Sequence, residues 1–497
     1  MGPATDTVTA SSNADQAISS SVNITVIAPS SKPSLPLPAF PGAQGGGAAA
    51  VGGRGGQIME VTNLNDSGSG SLRGCVEALG PRTCVFRVAG YITLQSNLNV
   101  RNPYLTIAGQ TAPGDGITVR LANSMQGDGA SAFNLQTNDV VFRYFRVRPG
   151  AGGITIAIRG RSAIGSGGPA ANIVLDHIST SWSAYGNLGC WAFAGNVPQH
   201  NWSVQYSISA EGLSIPPLWH SKGWNCGTDQ PGYGEQMTDI DIHHTLFESN
   251  VSRNPLMQIG RTREVNNIVF NTNYGATQFE GGVYADVIGD VFKQGPEDTV
   301  PHHEMQTTAY YSPGQPNRPA SFYLKGNLGW SQSHPDGDDW IMLAADCDTH
   351  YGCETGQAAQ SLKRTTPLPT EQFPIFADPA NTLAANLLPV IGASQRLDCM
   401  GNWVPMRDAV DQRLVDEFNG KVTAAGSPSD ESQVGGYPTL ATGTPCDESL
   451  HDGIPDQWKI AHGLSPSDTT LANNVAPNGY TYLENYLNGT DANLPVQ

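Results

Sequence analysis

Short runs in which apolar and polar residues alternate recur through the middle of this 497-residue chain. Alternation with a period of two is typical of β-strands, because successive side chains point to opposite faces of a sheet. The predicted strands start near Leu105, Val140, Asn172, Trp202, Asp239, Val265, Tyr284 and Ser321. Their starts are between 19 residues (265 to 284) and 37 residues (284 to 321) apart, which indicates similar coils joined by loops of unequal length.

Each run is too short to bury its apolar face alone, and stacking of coils solves this problem. We therefore predict an all-β fold, a right-handed parallel β-helix with long loops and a small C-terminal module. Ser71–Leu79 is predicted to form a short helix that caps the first coil. A β-sandwich is the structural alternative, but its turns would come every 8 to 12 residues or so, which is closer than the spacing here.

The chain divides by composition into four parts. Residues 1–37 are rich in Ser, Thr and Ala and end in a proline stretch, which predicts a tail and linker with one strand at Asn23–Ile27. The β-helix is predicted for residues 38–400, with irregular loops around its last coils. Residues 401–445 are predicted to be linker and loop, and residues 446–497 to be the C-terminal module.

The net charge of −18 and the pI near 4.9 argue against a nucleic acid as partner. No run of 18 or more apolar residues occurs, so we expect no segment that spans a membrane. The first residues lack a basic region followed by an apolar core, and as written they do not form a signal peptide. We expect a monomer.

The eight cysteines fall into near pairs, which are Cys75/Cys84, Cys190/Cys226, Cys347/Cys353 and Cys399/Cys446. Their number is even, and no C-x-x-C zinc spacing occurs. We predict four disulfides, an oxidising compartment and a secreted protein. Scattered buried thiols are the alternative.

A short basic segment between two strand-like runs carries Arg253, Arg261 and Arg263. Pro255 is predicted to end the first strand and to stiffen the loop. Three guanidinium groups in so acidic a chain are either solvated surface charge or an anion site, because Arg holds carboxylates in a bidentate grip.

This segment resembles the pectate lyase superfamily, specifically the polysaccharide lyases that cleave polygalacturonate. The shared pattern is a histidine pair, Arg-x-Pro, a Gly and an Asn pair, which read here His243-His244, Arg253-Asn254-Pro255, Gly260 and Asn266-Asn267. Phe-Pro-Gly-Ala, Gly-Gly-Arg-Gly-Gly and Gly-Ser-Leu-Arg near the start also match, and the resemblance covers roughly residues 39–330. The end of the chain is similar to an appendage often attached to these lyases.

The reaction that the resemblance implies is β-elimination, which needs a base at the carbon next to the carboxylate and positive charge on that carboxylate. The family base maps to Arg253, although a guanidinium is normally always protonated. A crowded cationic site without solvent makes transient deprotonation plausible. Chemistry alone favours His243, His244 or His177. Neighbouring strand residues point to opposite faces, so at most one of His243 and His244 meets the groove.

The resemblance also implies residues that bind the acidic polysaccharide. Lys222 matches the family lysine that binds the substrate carboxylate, and His220 lies beside it in the sequence. Arg261 is expected to support the same patch, and Arg159 to supply another guanidinium. His177 belongs to an Asp-His pair of the family and is expected to have a supporting role.

Pectate lyases bind Ca²⁺ with carboxylates from neighbouring coils. Where relatives have Asp-Ala-Leu this chain has Ile154–Ile156, and where they have Trp-Ser-Thr-Asp-Glu it has Trp182–Gly186. Glu211 is the one expected acid that remains, and one carboxylate is a poor Ca²⁺ site. A guanidinium of Arg159 or Arg161 can replace the metal. The lack of these carboxylates predicts one of three proteins: a metal-independent lyase, a lyase for esterified pectin, or a lyase for another uronate polymer.

Acidic residues of the C-terminal module are a second candidate for Ca²⁺. Asp447, Asp452 and Asp456 are the candidate structural ligands, and a solvated acidic loop is the alternative because the EF-hand spacing is absent. Five of the nine tryptophans lie between residues 182 and 224. They form either a sugar-stacking wall or part of the core.

Two other functions remain possible from the sequence. One is a carbohydrate-binding β-helix without activity, against which the retention of Arg253 and Lys222 argues. The other is a glycoside hydrolase on the same fold, which needs paired carboxylates across the bond. Asp338-Asp339 is such a pair, but it lies in the irregular C-terminal region and not near the groove segments. The product separates the classes, because a lyase makes an unsaturated end that absorbs ultraviolet light.

Overall fold

The computed structural model describes residues 4–11, 19–26, 37–125, 131–150, 154–158, 170–193, 198–216, 220–299, 302–308, 313–345 and 362–492. The chain divides into two units, residues 1–37 and residues 38–497. In the first unit, Ala4–Ser11 pairs antiparallel with Ser19–Val26, where the sequence predicted a single strand. The boundaries proposed at residues 400 and 446 remain predictions, because residues 38–497 form one unit.

Three parallel sheets form the body of the second unit. Sheet A contains Gln57–Val61, Arg82–Phe86, Leu105–Ala108, Val140–Arg143, Ala171–Asp176, His200–Gln205, Ile240–His243, Arg261–Val265, Tyr284–Ile288 and Ser321–Lys325. Sheet B contains Gly90–Leu94, Ile117–Leu121, Arg146–Val147, Ser179–Ser181, Ile208–Ala210, Leu246–Glu248, Ile268–Phe270 and Val291–Lys293. Sheet C contains Leu98–Val100, Ser131–Leu135, Ile154–Ile158, Gly186–Ala192, Lys222–Thr228, Leu256–Met257, Thr277–Glu280, Met305–Thr308 and Leu343–Ala345. Each full coil visits A, then B, then C, which confirms the predicted right-handed parallel β-helix.

Alternate side chains of the strands fill the interior of the helix. In sheet A, Ile173, Trp202 and Ile240 occupy equivalent positions in successive coils and are fully buried. Trp202 stacks on Trp224 of sheet C with 4.7 Å between the ring centroids. Residues of one coil thus pack on those of the next, and the coils share a continuous core that no single strand could form.

A tight corner joins each sheet A strand to the following sheet B strand. In five successive coils the corner residue is Tyr144, His177, Tyr206, His244 or Asn266, each with a left-handed φ between 49° and 56°. The rings of the first four residues stack in a column, with centroids 4.3, 5.2 and 4.8 Å apart. We call these four residues the corner ladder. Its ring contacts compensate for backbone conformations that side chains other than glycine adopt at a cost.

The described helices lie outside the coils and are α1 (Leu72–Val76), α2 (Ala380–Leu387), α3 (Ala409–Phe418), α4 (Asp456–Ala461) and α5 (Tyr482–Asn488). Helices α2 and α3 cover sheet B. Leu383, Leu414 and Phe418 pack there against Ile208 and Leu246. Within the described ranges, no helix has the length and apolar character needed to cross a bilayer.

The predicted helix at Ser71–Leu79 is confirmed as α1, and the hydroxyl of Ser71 caps it by accepting the N–H of Gly74. Three of the predicted disulfides are also confirmed: Cys75–Cys84, Cys190–Cys226 and Cys399–Cys446. Cys347 and Cys353 lie outside the described residues. The Cys75–Cys84 bond ties α1 to the first coil, and the Cys190–Cys226 bond joins two adjacent strands of sheet C.

Two carboxyl groups are enclosed in the interior of the β-helix. Glu264 stands in register between Ile242 and Val287, which are both core positions. Among the described residues, neither carboxyl oxygen of Glu264 has a hydrogen-bond partner. Asp290, in the next coil, accepts the N–H of Asn267 at 2.7 Å. Burial raises the pKa of Asp290 to about 7, and burial and the charge of Asp290 raise the pKa of Glu264 well above its usual range.

We expect Asp290→Asn to stabilise the protein above about pH 7 and to have little effect near pH 4. The native pKa of Asp290, about 7, lies above its ordinary value of 3.8. Stability from the protonated acid is therefore complete below about pH 4 and is lost as the pH rises through 7. A shift of this size corresponds to at most about 4 kcal/mol. The midpoint of thermal unfolding, measured across this pH range, reports the difference.

Asp336→Asn is the control, because Asp336 is exposed. It should leave the pH dependence of the midpoint unchanged. An Asp290→Asn protein whose midpoint falls with pH as steeply as that of the wild type would contradict the expectation.

Candidate active site

Arg253 lies in the turn between strand Leu246–Glu248 of sheet B and strand Leu256–Met257 of sheet C. Its backbone is left-handed with a φ of 62°, and the Asn254–Pro255 peptide bond that follows is cis. The N–H of Trp224, in the preceding coil, donates to the carbonyl of Arg253 at 2.8 Å. The neighbouring coil thus fixes the backbone of Arg253 even though the turn itself is irregular.

The guanidinium of Arg253 lies over the outer face of sheet C. Its Nη1 donates to Oδ1 of Asn225 at 2.7 Å, and Asn225 is only 6% exposed. Glu280 occupies the outer face of the coil after Arg253, since its neighbour Phe279 is a core residue. Burial raises the pKa of Glu280, and the positive charge of Arg253 opposes this shift. The site thus combines a guanidinium, a neutral amide and a carboxyl group whose ionisation burial disfavours.

Lys222 begins the sheet C strand that also carries Asn225, and it pairs in parallel with Ser252, the residue before Arg253. It is 8% exposed, and its Nζ lies 4.2 Å from the centroid of the Tyr185 ring. The ring of His220 contacts the same tyrosine edge to face at 4.5 Å. Lys222 and His220 thus share Tyr185, and the pairing with Ser252 places Lys222 on the coil next to Arg253; their role in binding substrate stays a prediction.

Arg261 lies elsewhere, at the start of a sheet A strand. Its Nε donates to Asp239 at 2.8 Å, and Arg263 contacts Asp239 and Glu371 from the same face. Burial would raise the pKa of Asp239, but the two guanidinium groups bring it below its ordinary value. The expectation that Arg261 supports the Arg253 patch is corrected here, because the chain turns the corner from sheet C to sheet A between the two residues.

His177 belongs to the corner ladder, not to the surface around Arg253. Its ring is stacked between Tyr144 and Tyr206, and its Nδ1 lies 2.9 Å from the carboxylate of Asp176. Burial opposes ionisation of Asp176, but His177 and Arg143 hold its pKa far below the usual range. The corner separates His177 from sheet C, so of the structural and supporting roles that the resemblance implied, these contacts favour the structural one.

His243 and His244 are both buried, with 3.0 Å between their Nδ1 atoms. Burial and the neighbouring His244 lower the pKa of His243 to about 3, and His244 is part of the corner ladder. The sequence analysis allowed one of these two side chains to face the groove that binds the substrate. The structure encloses both, so neither is placed to take a proton from a polysaccharide.

Glu211, the expected Ca²⁺ ligand, is already engaged. It is fully buried, accepts the indole N–H of Trp182 at 2.9 Å and contacts Arg413 of α3 at 2.7 Å. Across the described residues, no group of three or more His, Cys, Asp or Glu side chains is arranged to hold a metal. The residues around Glu211 do not fit Ca²⁺, because a guanidinium and an indole occupy its oxygens. Arg159 and Arg161 lie outside the described residues.

Among the described residues, the acidic side chains of the C-terminal module do not form a metal site either. Asp452 pairs with the buried ammonium of Lys459 at 2.8 Å. Asp456 accepts the N–H of Ser449 at 3.1 Å, and Asp447 contributes its backbone carbonyl to the N–H of Asp456. Asp452 thus forms an ion pair and Asp456 accepts a local hydrogen bond. The expectation of a structural calcium site at these residues is corrected.

The tryptophans divide between the core and the outer face of sheet C. Trp182, Trp202 and Trp224 are fully buried, and Trp219 lies outside the described residues. Trp191 stands in register with Gly227, and a Cβ atom placed on Gly227 would come within 3.1 Å of its ring. Of the predicted sugar-stacking wall, the described part retains Trp191, on the same sheet face as Asn225.

Asn225, Glu280 and Tyr185 belong to this site and were missed in the sequence. A signal for Asn225 was present, because it lies between the core residues Trp224 and Cys226, and alternation places it on the opposite, outer face of the strand. Glu280 and Tyr185 come from other coils, and only the register of the stacked strands brings them close. Spacing along the chain does not encode that register.

The comparisons with known proteins agree with this geometry. No protein-family model matches the chain. The chain is 34% identical to a probable pectate lyase C of Aspergillus fumigatus over 466 residues, which cover 91% of this chain and 93% of that protein. The probable pectate lyase C of Neosartorya fischeri is also 34% identical, over 465 residues and with the same coverage.

Among solved structures, jun a 1, the major allergen from cedar pollen, is similar with a TM-score of 0.47 and 16% identity, over 70% of this chain and 92% of that one. The identity of about a third to the fungal proteins extends along nearly the whole of both chains. The chain therefore belongs to the pectate lyase family of polysaccharide lyases.

Proposed function

We propose that this enzyme cleaves a polyuronate of the pectate type by β-elimination, with Arg253 as the base. The observation that supports the proposal is the parallel pairing of Lys222 with Ser252, which places Lys222 and the following residue, Arg253, on adjacent coils of sheet C. Two cationic groups at one place on a solenoid with a charge of −18 form a local site for an acidic chain. The substrate class is that in the names of the fungal relatives.

Each group has one role in the proposed reaction. The ammonium of Lys222 binds the uronate carboxylate and stabilises the negative charge that develops on it. Arg253, in its neutral form, takes the proton from the carbon next to that carboxylate. The bond between the β-carbon and the glycosidic oxygen then breaks, a carbon–carbon double bond forms, and the leaving oxygen takes a proton from water.

The positive charge at this site comes from side chains in the proposal, and no step is assigned to Ca²⁺. The carboxylate of Glu211 is held by Arg413 and Trp182. In the preceding coil the register places Trp182 beside Glu211, followed by Ser183, Ala184 and Tyr185, and none of them is a carboxylate ligand. This donor set supports a lyase that works without a bound metal.

The test follows the absorbance of the unsaturated product on polygalacturonate and on highly esterified pectin, each with Ca²⁺ and with a chelator. We expect activity that the chelator reduces by less than about twofold. Loss of activity in chelator would show that other acids hold a metal. Absorbance only on esterified pectin would change the substrate to the ester. No absorbance on either polymer would favour another uronate polymer or a protein that binds carbohydrate without cleaving it.

The enzyme is proposed to work outside the cell as a monomer. Three described disulfides support an oxidising location, and a polymeric substrate is reached there. Mass measurement of the protein in solution tests the monomer.

A further inference from the structure

We propose that Asn225 is the positioning residue of Arg253, and that its neutral amide is needed to keep the guanidinium reactive. The inference rests on the proposed function, since it concerns the same base. It assigns to Asn225 two tasks, which are to hold the guanidinium over sheet C and to do so without adding negative charge.

The strand Lys222–Thr228 binds both the backbone and the side chain of Arg253. The N–H of Trp224 binds the backbone carbonyl of Arg253, and the next residue, Asn225, accepts from its Nη1 at 2.7 Å. Asn225 is 6% exposed, and its flanking residues are fixed in the core. A buried acceptor on a regular strand restricts the long arginine side chain far more than a residue on a loop would.

Carboxylates hold other arginines of this protein. Arg148 is paired with Asp408 and Asp411, and Arg413 with Glu211 and Glu417. Such partners raise the pKa of Arg148 and Arg413 and fix the positive charge. In the described part of the chain, no carboxylate lies within 4 Å of Arg253 to form such a pair. An amide partner gives the same geometry without this extra stabilisation of the charged form.

Among the described residues, the charged and titratable groups near Arg253 include Asp229, whose charge raises the pKa of Glu280. Lys222 adds positive charge, Tyr185 and His220 stand beside Lys222, and Glu280 lies on the following coil. The carboxyl of Glu280 accepts from Gln315 at 3.0 Å, and burial disfavours its ionised form. The hydrogen-bond acceptor of Arg253 is thus an uncharged amide, and the nearby carboxyl of Glu280 has its own partner in Gln315.

The test compares Asn225→Asp, Asn225→Gln and Asn225→Ala by kcat and KM on polygalacturonate between about pH 6 and pH 11. Aspartate places an anion on the guanidinium, so we expect the activity profile to move to higher pH by about one to three units. Glutamine keeps a neutral amide and should keep the wild-type profile. Alanine removes the hydrogen bond and should lower kcat about 10- to 100-fold without moving the profile.

Asn134 provides a matched control. It stands in the same outward column of sheet C, three coils earlier, in the register Asn134, Ala157, Gly189, Asn225. Its amide bonds Asn99 at 2.9 Å and not an arginine. Asn134→Asp should leave the profile unchanged, and thermal unfolding of every variant checks the fold.

The outcomes separate this inference from the proposed function. A shifted profile in Asn225→Asp, with wild-type profiles in Asn225→Gln and Asn134→Asp, supports the inference. An active wild type with an unshifted Asn225→Asp profile overturns the inference and leaves the proposed function standing. An equal shift in Asn134→Asp overturns it as well, because the effect would then belong to the sheet and not to the base. A wild type inactive on every uronate polymer overturns both.

Discussion

Arg253→Ala is expected to lower kcat/KM on polygalacturonate by about 10³-fold or more, mainly through kcat. General-base catalysis alone contributes roughly 10²- to 10⁴-fold, and the guanidinium also adds positive charge beside the uronate carboxylate. Both contributions disappear with the side chain. Arg253→Lys keeps a positive charge but not the planar fork that meets Asn225, so it should retain less than about one hundredth of the activity. The rate of absorbance increase at saturating substrate measures both variants.

Arg261→Ala is the matched control, since this arginine is eight positions further along the chain (261 − 253) but on sheet A. Its guanidinium is bound by Asp239, and the activity should change less than about threefold. If Arg261→Ala abolished activity while Arg253→Ala did not, the assignment of the base to the turn between sheets B and C would be wrong.

The different positions of Arg253 and Arg261 show which features the sequence predicted and which it did not. The alternation around Asp239–Asn271 predicted the strands, and the Arg-x-Pro resemblance singled out Arg253. Nothing in the local sequence indicates that the chain turns a corner after Met257, which moves Arg261 to another face. A solenoid corner is set by the stacking of neighbouring coils, and that information is spread over residues from 22 to 38 positions apart (242 to 264, 202 to 240).

For the same reason, the local sequence does not show that the candidate histidine bases have structural roles. His177 and His244 have the chemistry of catalytic bases, and their role in the corner ladder depends on Tyr144 and Tyr206 one coil away. The C-terminal wrap is different, because a signal was present. In α3, Val410, Leu414 and Phe418 recur at four-residue intervals after the capping residue Asp408, which is a helix pattern that the prediction of irregular loops overlooked.

The position of α3 also explains why Glu211 is closed to a metal. The helix carries Arg413 to Glu211, and its first turn carries Asp408 and Asp411 to Arg148. One docked helix therefore both pairs with the acid that the resemblance assigned to Ca²⁺ and ties the C-terminal segment to the solenoid. The buried cation Arg148 is the centre of that attachment.

Arg148→Leu is expected to weaken the docking of α3 by about 1.5 to 3 kcal/mol, because it removes the hydrogen-bonded counter-ion of two buried carboxylates and leaves them only the more distant guanidinium of Arg146, at 3.4 and 3.8 Å. Arg148 is fully buried and contacts Asp408 at 2.5 Å and Asp411 at 2.7 Å. Burial opposes ionisation of Asp408, but Arg148 and Arg146 hold its pKa far below the ordinary value of 3.8. Stability from this carboxylate is complete above that value and is lost as the pH falls below it. Hydrogen exchange of the α3 amides should therefore rise strongly in the variant at pH 7.

The difference from the wild type should narrow as the pH falls below about 4, where protonation of Asp408 removes part of the buried charge. Lys421→Ala is the control on the same segment, since Lys421 is 65% exposed and pairs with Asp416 of α3. Exposed pairs of this kind contribute little to stability because solvent screens them, so exchange in α3 should hardly change. Equal exchange in the two variants would mean that α3 is held by its apolar contacts with sheet B, and that the buried ion pairs add specificity to its position but little free energy.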